Sequence, residues 1–199
     1  MEFRDYQQTI IDKASITLAK HKFVYLAMEV RTGKTLTSLG IANKLKCKEV
    51  LFLTKKKAIT SISKDYDMLC PNSFSLFIIN YESIHKIPNV KWDMIIVDEA
   101  HSLGAFPKPN KRAKQVRDII KVNRCLVCLM SGTPTPESYS QMYHQVFGIP
   151  TNPFKEHKTF YKFANQYVDK RQKKINSMYI NDYTRGYETI IEKMNPYTY

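Results

Sequence analysis

The sequence predicts an α/β fold in which helices cover both faces of a parallel sheet. Short runs that are apolar along their whole length alternate with segments of helical spacing, a pattern typical of a buried parallel sheet. A Gly-Lys-Thr tripeptide stands at one strand-to-helix junction, and two acidic residues directly follow another apolar run. The chain has 199 residues, which is enough for one domain with a proper core.

The predicted elements follow one another along the chain. In the first helix Tyr6, Ile10, Ala14 and Leu18 share one side, and Asp5 supplies its cap. The predicted strands are FVYLAM (23–28), EVLFLT (49–54), FSLFII (74–79), MIIVDEA (94–100) and CLVCLMS (125–131). Helices are predicted after the Gly-Lys-Thr segment, over 58–68, over 112–122, and from Pro136 behind a Thr135 cap.

Composition indicates a folded protein without a membrane segment. Hydrophobic residues make up 43% and charged residues 25% of the chain, close to the averages for globular proteins. No apolar run is long enough to span a bilayer, and the opening MEFRDYQQTI carries charges where a signal peptide is apolar. We expect a cytoplasmic protein with no membrane partner, in the host cytoplasm if the chain is viral.

The cysteines do not indicate a disulfide scaffold. There are four, Cys47, Cys70, Cys125 and Cys128, which is too few for such a scaffold in a chain of this size. Cys125 and Cys128 form a C-x-x-C inside an apolar run, with no second Cys or His pair to complete a metal site. A buried strand is favoured over a metal or redox role.

Charge indicates a polyanionic partner without proving one. The formal net charge is +13, and 108–124 contains seven basic residues against the single acid Asp118. A solvated basic surface would give the same excess. Residues 151–199 interleave basic and aromatic residues, which can bind nucleic acid. Phe160, Phe163 and Tyr167 nevertheless fit one helical face, which favours packing of this tail on the domain.

The Gly33-Lys34-Thr35 tripeptide matches the second half of a phosphate-binding loop, with Met28 where that pattern has its first glycine. In such loops, backbone N–H groups and the positive end of the following helix surround phosphates. The lysine neutralises charge on the terminal phosphates and the hydroxyl binds magnesium. The setting between a strand and a helix favours a functional loop over chance.

Polar residues follow two other predicted strands. Asp98 and Glu99 come after MIIV, and Ser131 and Thr133 come after CLVCLM. Open α/β sheets bind ligands outside the carboxyl ends of their strands. There Asp98 can hold the magnesium ion that Thr35 also binds, and Glu99 can position or deprotonate an attacking water. Both polar pairs could also simply begin a loop.

Six segments in a fixed order carry a resemblance to a known family. They are RDYQ (4–7), EVRTGKT (29–35), FLTKKK (52–57), INYES (79–83), VDEAH (97–101) and SGTP (131–134). Together they resemble the first RecA-like lobe of superfamily 2 helicases, and are most similar to Swi/Snf-type ATPases. The loop of those proteins commonly reads D-E-M-G-L-G-K-T, so Met28 is no objection. Arg31 replaces a family glycine and is a real departure.

The resemblance implies a RecA-like P-loop NTPase that uses ATP and Mg²⁺, with roles for the matching residues. Arg4, Tyr6 and Gln7 would bind adenine. The phosphates would be bound by the loop of Glu29, Val30, Arg31, Thr32, Gly33, Lys34 and Thr35. Thr35 and Asp98 would bind Mg²⁺, and Lys34, Asp98 and Glu99 would be catalytic. His101, Ser131 and Thr133 would link nucleotide state to nucleic-acid grip, and Lys55 and Lys56 would contact nucleic-acid phosphates.

The resemblance also implies a missing half. Residues 1–150 match the ATP-binding lobe, whereas 151–199 holds no second series of strand and helix signals and reads as a helical, aromatic and basic extension. The family needs a second RecA-like lobe, in the same or another chain, to supply arginine fingers. We expect a lobe that couples ATP hydrolysis to movement on nucleic acid, with duplex DNA favoured, and that hydrolyses ATP poorly alone.

Two alternatives remain open from the sequence. The chain could be a stand-alone module that binds nucleic acid or protein and keeps a vestigial nucleotide site. The four intact residues Lys34, Thr35, Asp98 and Glu99 argue against that reading. A small-molecule kinase is the other alternative, and VDEAH with SGTP suits hydrolysis coupled to motion better than transfer to an acceptor.

Overall fold

A parallel sheet of five strands forms the centre of the fold. The computed structural model describes residues 2–69 and 73–199, so Cys70 lies outside the described residues. The strands are β1 (Phe23–Leu26), β2 (Glu49–Thr54), β3 (Ser75–Asn80), β4 (Met94–Val97) and β5 (Leu126–Met130). Their order in the sheet is β1-β5-β4-β2-β3, and each neighbouring pair is parallel. The predicted α/β architecture and its five strands are confirmed.

Helices cover both faces of the sheet. They are α1 (Asp5–His21), α2 (Lys34–Lys44), α3 (Ile59–Leu69), α4 (Lys111–Asn123), α5 (Met142–Val146), α6 (Phe160–Tyr167) and α7 (Thr189–Met194). Alternate strand residues point to opposite faces. Val24 and Phe52 pack with the side of α1, α2 and α3, whereas Tyr25 and Leu53 pack with the side of α4 to α7. Two apolar cores therefore hold the sheet between them.

The first helix begins one residue earlier than predicted. Arg4, not Asp5, is the N-cap, and its backbone N–H donates to Oε1 of Gln7 at 3.0 Å. The prediction that Asp5 caps the helix is wrong. Asp5 is the first residue of the helix, and the Gln7 side chain accepts the hydrogen bond of the Arg4 N–H that precedes it. Ile11 is buried beside Ala14 on the inner face. Tyr6 stays partly exposed, since its hydroxyl is used outside the helix.

The helix predicted from Pro136 is shorter and starts later. Residues Tyr139–Gln141 form a 3-10 turn that leads into α5, and Ser138 is the N-cap. Its hydroxyl accepts from the Ser140 N–H, while the Gln141 side chain accepts from the Ser138 N–H. This reciprocal capping fixes the start at Ser138, so the prediction that Thr135 caps the helix is wrong.

The tail over 151–199 contains more than helices. Besides α6 and α7, it forms an antiparallel hairpin of β6 (Arg171–Ile175) and β7 (Met178–Asp182), which the sequence reading did not predict. Its last residue pairs with the sheet, because Tyr199 N–H donates to Tyr25 O and Ala27 N–H donates to Tyr199 O. The aromatic face of α6 is buried in the same core as the sheet. The tail is therefore packed onto the lobe.

The C-x-x-C lies at the start of the last sheet strand. Cys128 is fully buried in β5, and Cys125 immediately precedes that strand. Burial raises the pKa of the Cys125 thiol to about 12, which suppresses its thiolate. Within 2–69 and 73–199, no group of three or more His, Cys, Asp or Glu side chains is arranged to hold a metal ion.

None of the helices in the described part of the chain combines the length and apolar character needed to cross a bilayer.

Candidate nucleotide-binding site

The strand order places three predicted site segments side by side. β1, β5 and β4 are consecutive in the sheet, and they lead into the Lys34 loop, Ser131 and Asp98 respectively. Parallel strands end at the same edge, so all three segments emerge at one rim. A β-carbon placed on Gly132 would lie 3.7 Å from Lys34 Nζ and 3.7 Å from Met28 O. The segment after β5 therefore lies against the loop after β1.

The loop turns through two residues in the left-handed region. Gly33 has φ +80° and is the N-cap of α2, and Arg31 has φ +66°. Arg31 thus adopts a conformation that glycine takes without strain, which is the physical meaning of its departure from the family pattern. Lys34 Nζ donates to Met28 O at 3.0 Å and to Glu29 O at 2.8 Å. The lysine is held across the mouth of its own loop.

The first helix braces the loop from one side. The Tyr6 hydroxyl and Gln7 Nε2 both donate to Thr32 O, at 2.8 and 3.2 Å. A β-carbon on Gly33 would lie 2.2 Å from Gln7 Nε2, so the Gln7 side chain would have to leave its place, and the φ of +80° would strain any other residue there. A cavity of about 170 Å³ opens between these elements, lined by Glu2, Arg4, Tyr6, Gln7, Arg31, Thr32, Gly33 and Leu36. The residues predicted to read adenine therefore share one cavity with the loop.

Two other loop residues face outward. Glu29 and Val30 are exposed, Val30 by 75%. A β-carbon on Gly132 would approach the Val30 side chain to 3.2 Å. Thr35 lies in the first turn of α2 and is half-buried. The side chains of Glu29 and Val30 therefore point into solvent, and it is the backbone of these two residues that contributes to the loop.

Asp98 is a partly buried carboxylate that directly follows β4. Thr54 Oγ1 donates to its Oδ2 at 2.7 Å, and the Glu99 N–H donates to its Oδ1 at 2.9 Å. Burial raises the pKa of Asp98, and the charge of Glu99 adds to this, while the Thr54 hydrogen bond and the charge of Lys34 oppose it. The carboxylate therefore lies in the field of Lys34, where a second cation would favour its ionised form.

Glu99 connects two predicted functions. Its Oε1 lies 3.3 Å from Lys55 Nζ, and its Oε2 lies 3.4 Å from His101 Nδ1. The same His101 nitrogen lies 2.9 Å from Ser131 Oγ, which also accepts from the Thr133 N–H at 3.1 Å. Glu99 itself has φ +52°. A continuous polar path thus runs from Lys55 through Glu99 and His101 to Ser131.

Lys56 lies apart from this path. It begins the 3-10 turn Lys56–Ala58 that follows β2, and its side chain is exposed. Lys55, immediately before that turn, reaches back to Glu99. The two predicted phosphate-contacting lysines therefore have different surroundings.

Sequence reasoning missed three contributors. Thr54 ends β2, next to β4, and its hydroxyl holds Asp98. Tyr81, which the sequence left without a role, donates its hydroxyl to Asp98 O. Gly132 allows the close approach to the loop. The polar end of EVLFLT was a visible signal, but its use depends on β2 being the neighbour of β4, which only the sheet order supplies.

The donor set fits a magnesium–nucleotide complex. Mg²⁺ is typically held by one or two carboxylate or hydroxyl oxygens together with phosphate oxygens, and Asp98 and Thr35 provide such groups. Lys34 can exchange two carbonyl partners for phosphate oxygens, and the start of α2 presents backbone N–H groups to an anion. Glu99 follows Asp98 at the same edge of the sheet.

A parallel sheet with a phosphate-type loop after β1 and an acidic pair after β4 defines the RecA-like class of P-loop NTPases. The SNF2-related domain family matches residues 50–181, and the family described as Type III restriction enzyme, res subunit, matches residues 1–88. The chain belongs to the SNF2-related domain family, whose members are ATP-dependent helicase and translocase ATPases. The predicted resemblance to superfamily 2 Swi/Snf-type lobes is confirmed.

Solved structures show the same fold. The SWI2/SNF2 ATPase core of Sulfolobus solfataricus in complex with dsDNA is similar with a TM-score of 0.68 at 14% identity, covering 84% of this chain and 39% of that one. A second structure, of the SWI2/SNF2 ATPase core domain from the same organism, gives a TM-score of 0.62 at 14% identity, covering 84% of this chain and 38% of that one. The chain thus spans under half of either structure. Comparison with curated proteins gives no match.

Proposed function

We propose that this chain is the ATP-binding lobe of a Swi/Snf-like motor that couples ATP hydrolysis to movement on duplex DNA. The observation that carries the proposal is the convergence of Lys34, Asp98 and Ser131 on one rim, with Gly132 packed against the Lys34 loop. A vestigial site would not need a glycine with φ +80° at position 33, nor a partly buried carboxylate held by Thr54 at position 98.

The residues divide the work as follows. Gln7 and Tyr6 fix the loop backbone and form one wall of the base cavity. Lys34 binds the phosphates, and Asp98 and Thr35 bind Mg²⁺. Magnesium supplies charge neutralisation at the phosphates when bound. Glu99 orients the attacking water and takes up its proton.

Duplex DNA is the proposed track. The net charge of +13 favours a polyanion, and the similar Sulfolobus solfataricus ATPase core was solved with dsDNA. Lys55 and Lys56 follow β2 at the same rim as the nucleotide site. Since Lys55 also pairs with Glu99, nucleic-acid phosphates and the catalytic carboxylate compete for one ammonium group.

A binding experiment tests the nucleotide site directly. Titration calorimetry should show that the chain binds ATP only when Mg²⁺ is present, and Lys34→Ala should weaken this binding by about tenfold or more, as expected for loss of a charge-assisted contact. Among the described residues, the hydrogen bonds of Lys34 go to two carbonyls of its own loop, so the variant should melt within a few degrees of the unmodified chain.

Lys44→Ala is the matched control, since Lys44 lies on the same helix but pairs with Asp12. ATP affinity equal in all three proteins, together with nucleic-acid binding that ignores ATP, would support a stand-alone binding module instead.

A further inference from the structure

The β6–β7 hairpin projects from the lobe with both of its faces in solvent. Met178 is 69% exposed and Tyr179 is 67% exposed, and described side chains from Arg171 to Asn181 are exposed as well. A two-stranded ribbon is marginally stable in water by itself, so burial within the fold does not explain this one. Exposed apolar side chains on a protruding element mark an interaction surface.

Charge on the hairpin selects an anionic partner. Over 169–182 there are four basic residues, Lys170, Arg171, Lys173 and Lys174, and two acids, which leaves a net charge of +2. Arg171 and Lys173 are paired with the two acids, and Lys170, just before β6, donates to Asn165 Oδ1, so Lys174 is the strand lysine without an acidic partner among the described residues. Arg171 Nε lies 2.9 Å from Asp169 Oδ2, and Lys173 Nζ lies 2.5 Å from Asp182 Oδ2. Asp182 also accepts from Thr184, so its charge is used within the fold. The remaining surface of the ribbon is cationic.

One face of the hairpin has the residue types of a nucleic-acid contact. The register pairs Gln172 with Asn181 and Lys174 with Tyr179, and paired residues share a face. This face therefore presents two amides, one ammonium group and one phenol ring, and no acid. Lys174 Nζ lies 6.0 Å from the centre of the Tyr179 ring. Amides can bind base edges, and a lysine can bind a phosphate.

The base of the hairpin touches the segment that follows Ser131. Ser140 Oγ donates to Tyr183 O at 2.7 Å, and a β-carbon on Gly186 would lie 2.7 Å from Ser140 N. A groove of about 250 Å³ between them is lined by Thr135, Pro136, Glu137, Ser138, Tyr139, Thr184 and Gly186. The base of the ribbon is therefore fixed to the segment over 135–140.

We propose that the β6–β7 ribbon is a second DNA-contacting element, which enters the major groove of a duplex with Lys174 on a phosphate and the Gln172 and Asn181 amides at base edges. The major groove of B-form DNA admits a two-stranded ribbon of this kind. The inference rests on the proposed function, because it assumes the same duplex as the track of the motor.

The test measures duplex binding by the unmodified chain, Lys174→Gln and Tyr179→Ala. Fluorescence anisotropy with a labelled mixed-sequence duplex is recorded over a series of salt concentrations. Lys174→Gln should lower the slope of log affinity against log salt by about one, because one phosphate contact is lost. Tyr179→Ala should weaken binding by about fivefold at every salt concentration without changing the slope.

Controls lie on α1, away from the hairpin. Lys20→Gln removes an exposed charge and Ile16→Ala an exposed apolar side chain, and neither should change affinity by more than about twofold. Melting curves of all variants should superimpose, since the changed side chains are exposed.

The outcomes separate the two proposals. If the unmodified chain binds the duplex and both hairpin variants match their controls, the ribbon proposal is wrong while the proposed function stands. Equal losses for single-stranded and duplex probes would exclude the groove geometry and also overturn it. If the unmodified chain binds ATP in the presence of Mg²⁺ but binds no duplex, the proposal that duplex DNA is the track and the ribbon proposal both fail.

Discussion

At the scale of single residues, Lys55 stands between the two activities proposed for the lobe. It lies 3.3 Å from the Glu99 carboxylate and at the rim where nucleic-acid phosphates are expected. Both side chains are partly exposed, so the pair adds little to stability. Its consequence is instead functional, because Glu99 Oε1 is occupied by the Lys55 ammonium group and must leave it to accept a hydrogen bond from a water.

We predict that Lys55→Ala lowers the stimulation of ATP turnover by duplex DNA by on the order of fivefold, since a phosphate contact is lost. Turnover without DNA should rise, because Glu99 is freed. Steady-state ATPase rates with and without DNA, in the presence of a second lobe, measure both effects. Lys56→Ala is the control, and it should reduce the stimulation by DNA without changing the turnover measured in the absence of DNA. A lower rate without DNA in Lys55→Ala would show that the pair supports catalysis.

Asp98 gives a prediction about pH. Burial raises its pKa in the folded chain above the unfolded value, so the ionised carboxylate opposes folding at neutral pH. Asp98→Asn should therefore melt at a higher temperature than the unmodified chain at neutral pH. The difference in melting temperature should shrink as the pH falls through the raised pKa toward about 3.9, the unfolded value. At neutral pH the Asp98→Asn variant should also lose its Mg²⁺-dependent binding of ATP.

Thermal melts over that pH range check the prediction, with Asp118→Asn as the control. Asp118 is an exposed carboxylate on α4, and its replacement should leave the melting temperature unchanged. A lower melting temperature for Asp98→Asn at neutral pH would mean that the hydrogen bonds from Thr54 and the Glu99 N–H outweigh the cost of burial.

At the scale of elements, the sequence reading succeeded where one local signal dominates. The five sheet strands are apolar along their length because the sheet is covered on both faces, and each was found. The hairpin was missed because RQKKI and MYIND carry no such run, and their described side chains are exposed except for that of Asp182. The start of the helical segment that leads into α5 was misplaced because Thr135 and Ser138 are both possible caps, and Gln141 completes a capping box with Ser138.

A substitution in α6 tests whether residues 151–199 unfold together with the rest of the lobe. Phe163 is fully buried in the core that contains the sheet residues of β1, β4 and β5. Phe163→Ala should lower the free energy of unfolding by about 3–5 kcal/mol, as expected for removing a buried ring. Urea unfolding followed by circular dichroism should show one transition, shifted as a whole.

Tyr161→Ala, on the exposed side of the same helix, is the control and should cost less than about 1 kcal/mol. Two separate transitions, with only the smaller affected by Phe163→Ala, would instead show that 151–199 folds as a unit of its own.

At the scale of the whole molecule, the proposed motor needs a second RecA-like lobe. An absent arginine finger costs about 10³ to 10⁵ in turnover. We therefore predict that the chain alone binds ATP but hydrolyses it slowly, and that adding the partner lobe raises turnover by a factor in that range. A phosphate-release assay with and without the second lobe makes the measurement. Fast hydrolysis by these residues alone would show that the site is complete within one lobe.

The sequence by itself determined the parts of this protein that depend on near neighbours in the chain. Apolar runs predict strands, and the order of RDYQ, GKT, VDEAH and SGTP indicated the superfamily 2 lobe. These signals are local because the apolar side chains that a buried strand needs lie within the strand itself, and the residues that shape a phosphate loop lie within its own turn.

Only the tertiary structure decided which of those parts meet. The order β1-β5-β4-β2-β3 puts Thr54 beside Asp98 and Ser131 beside the Lys34 loop, and no spacing along the chain encodes that order. It also showed that Lys55 pairs with Glu99 and that the cationic hairpin projects into solvent. Contacts between distant residues depend on how helices and strands pack, so they become visible only when the whole chain is folded.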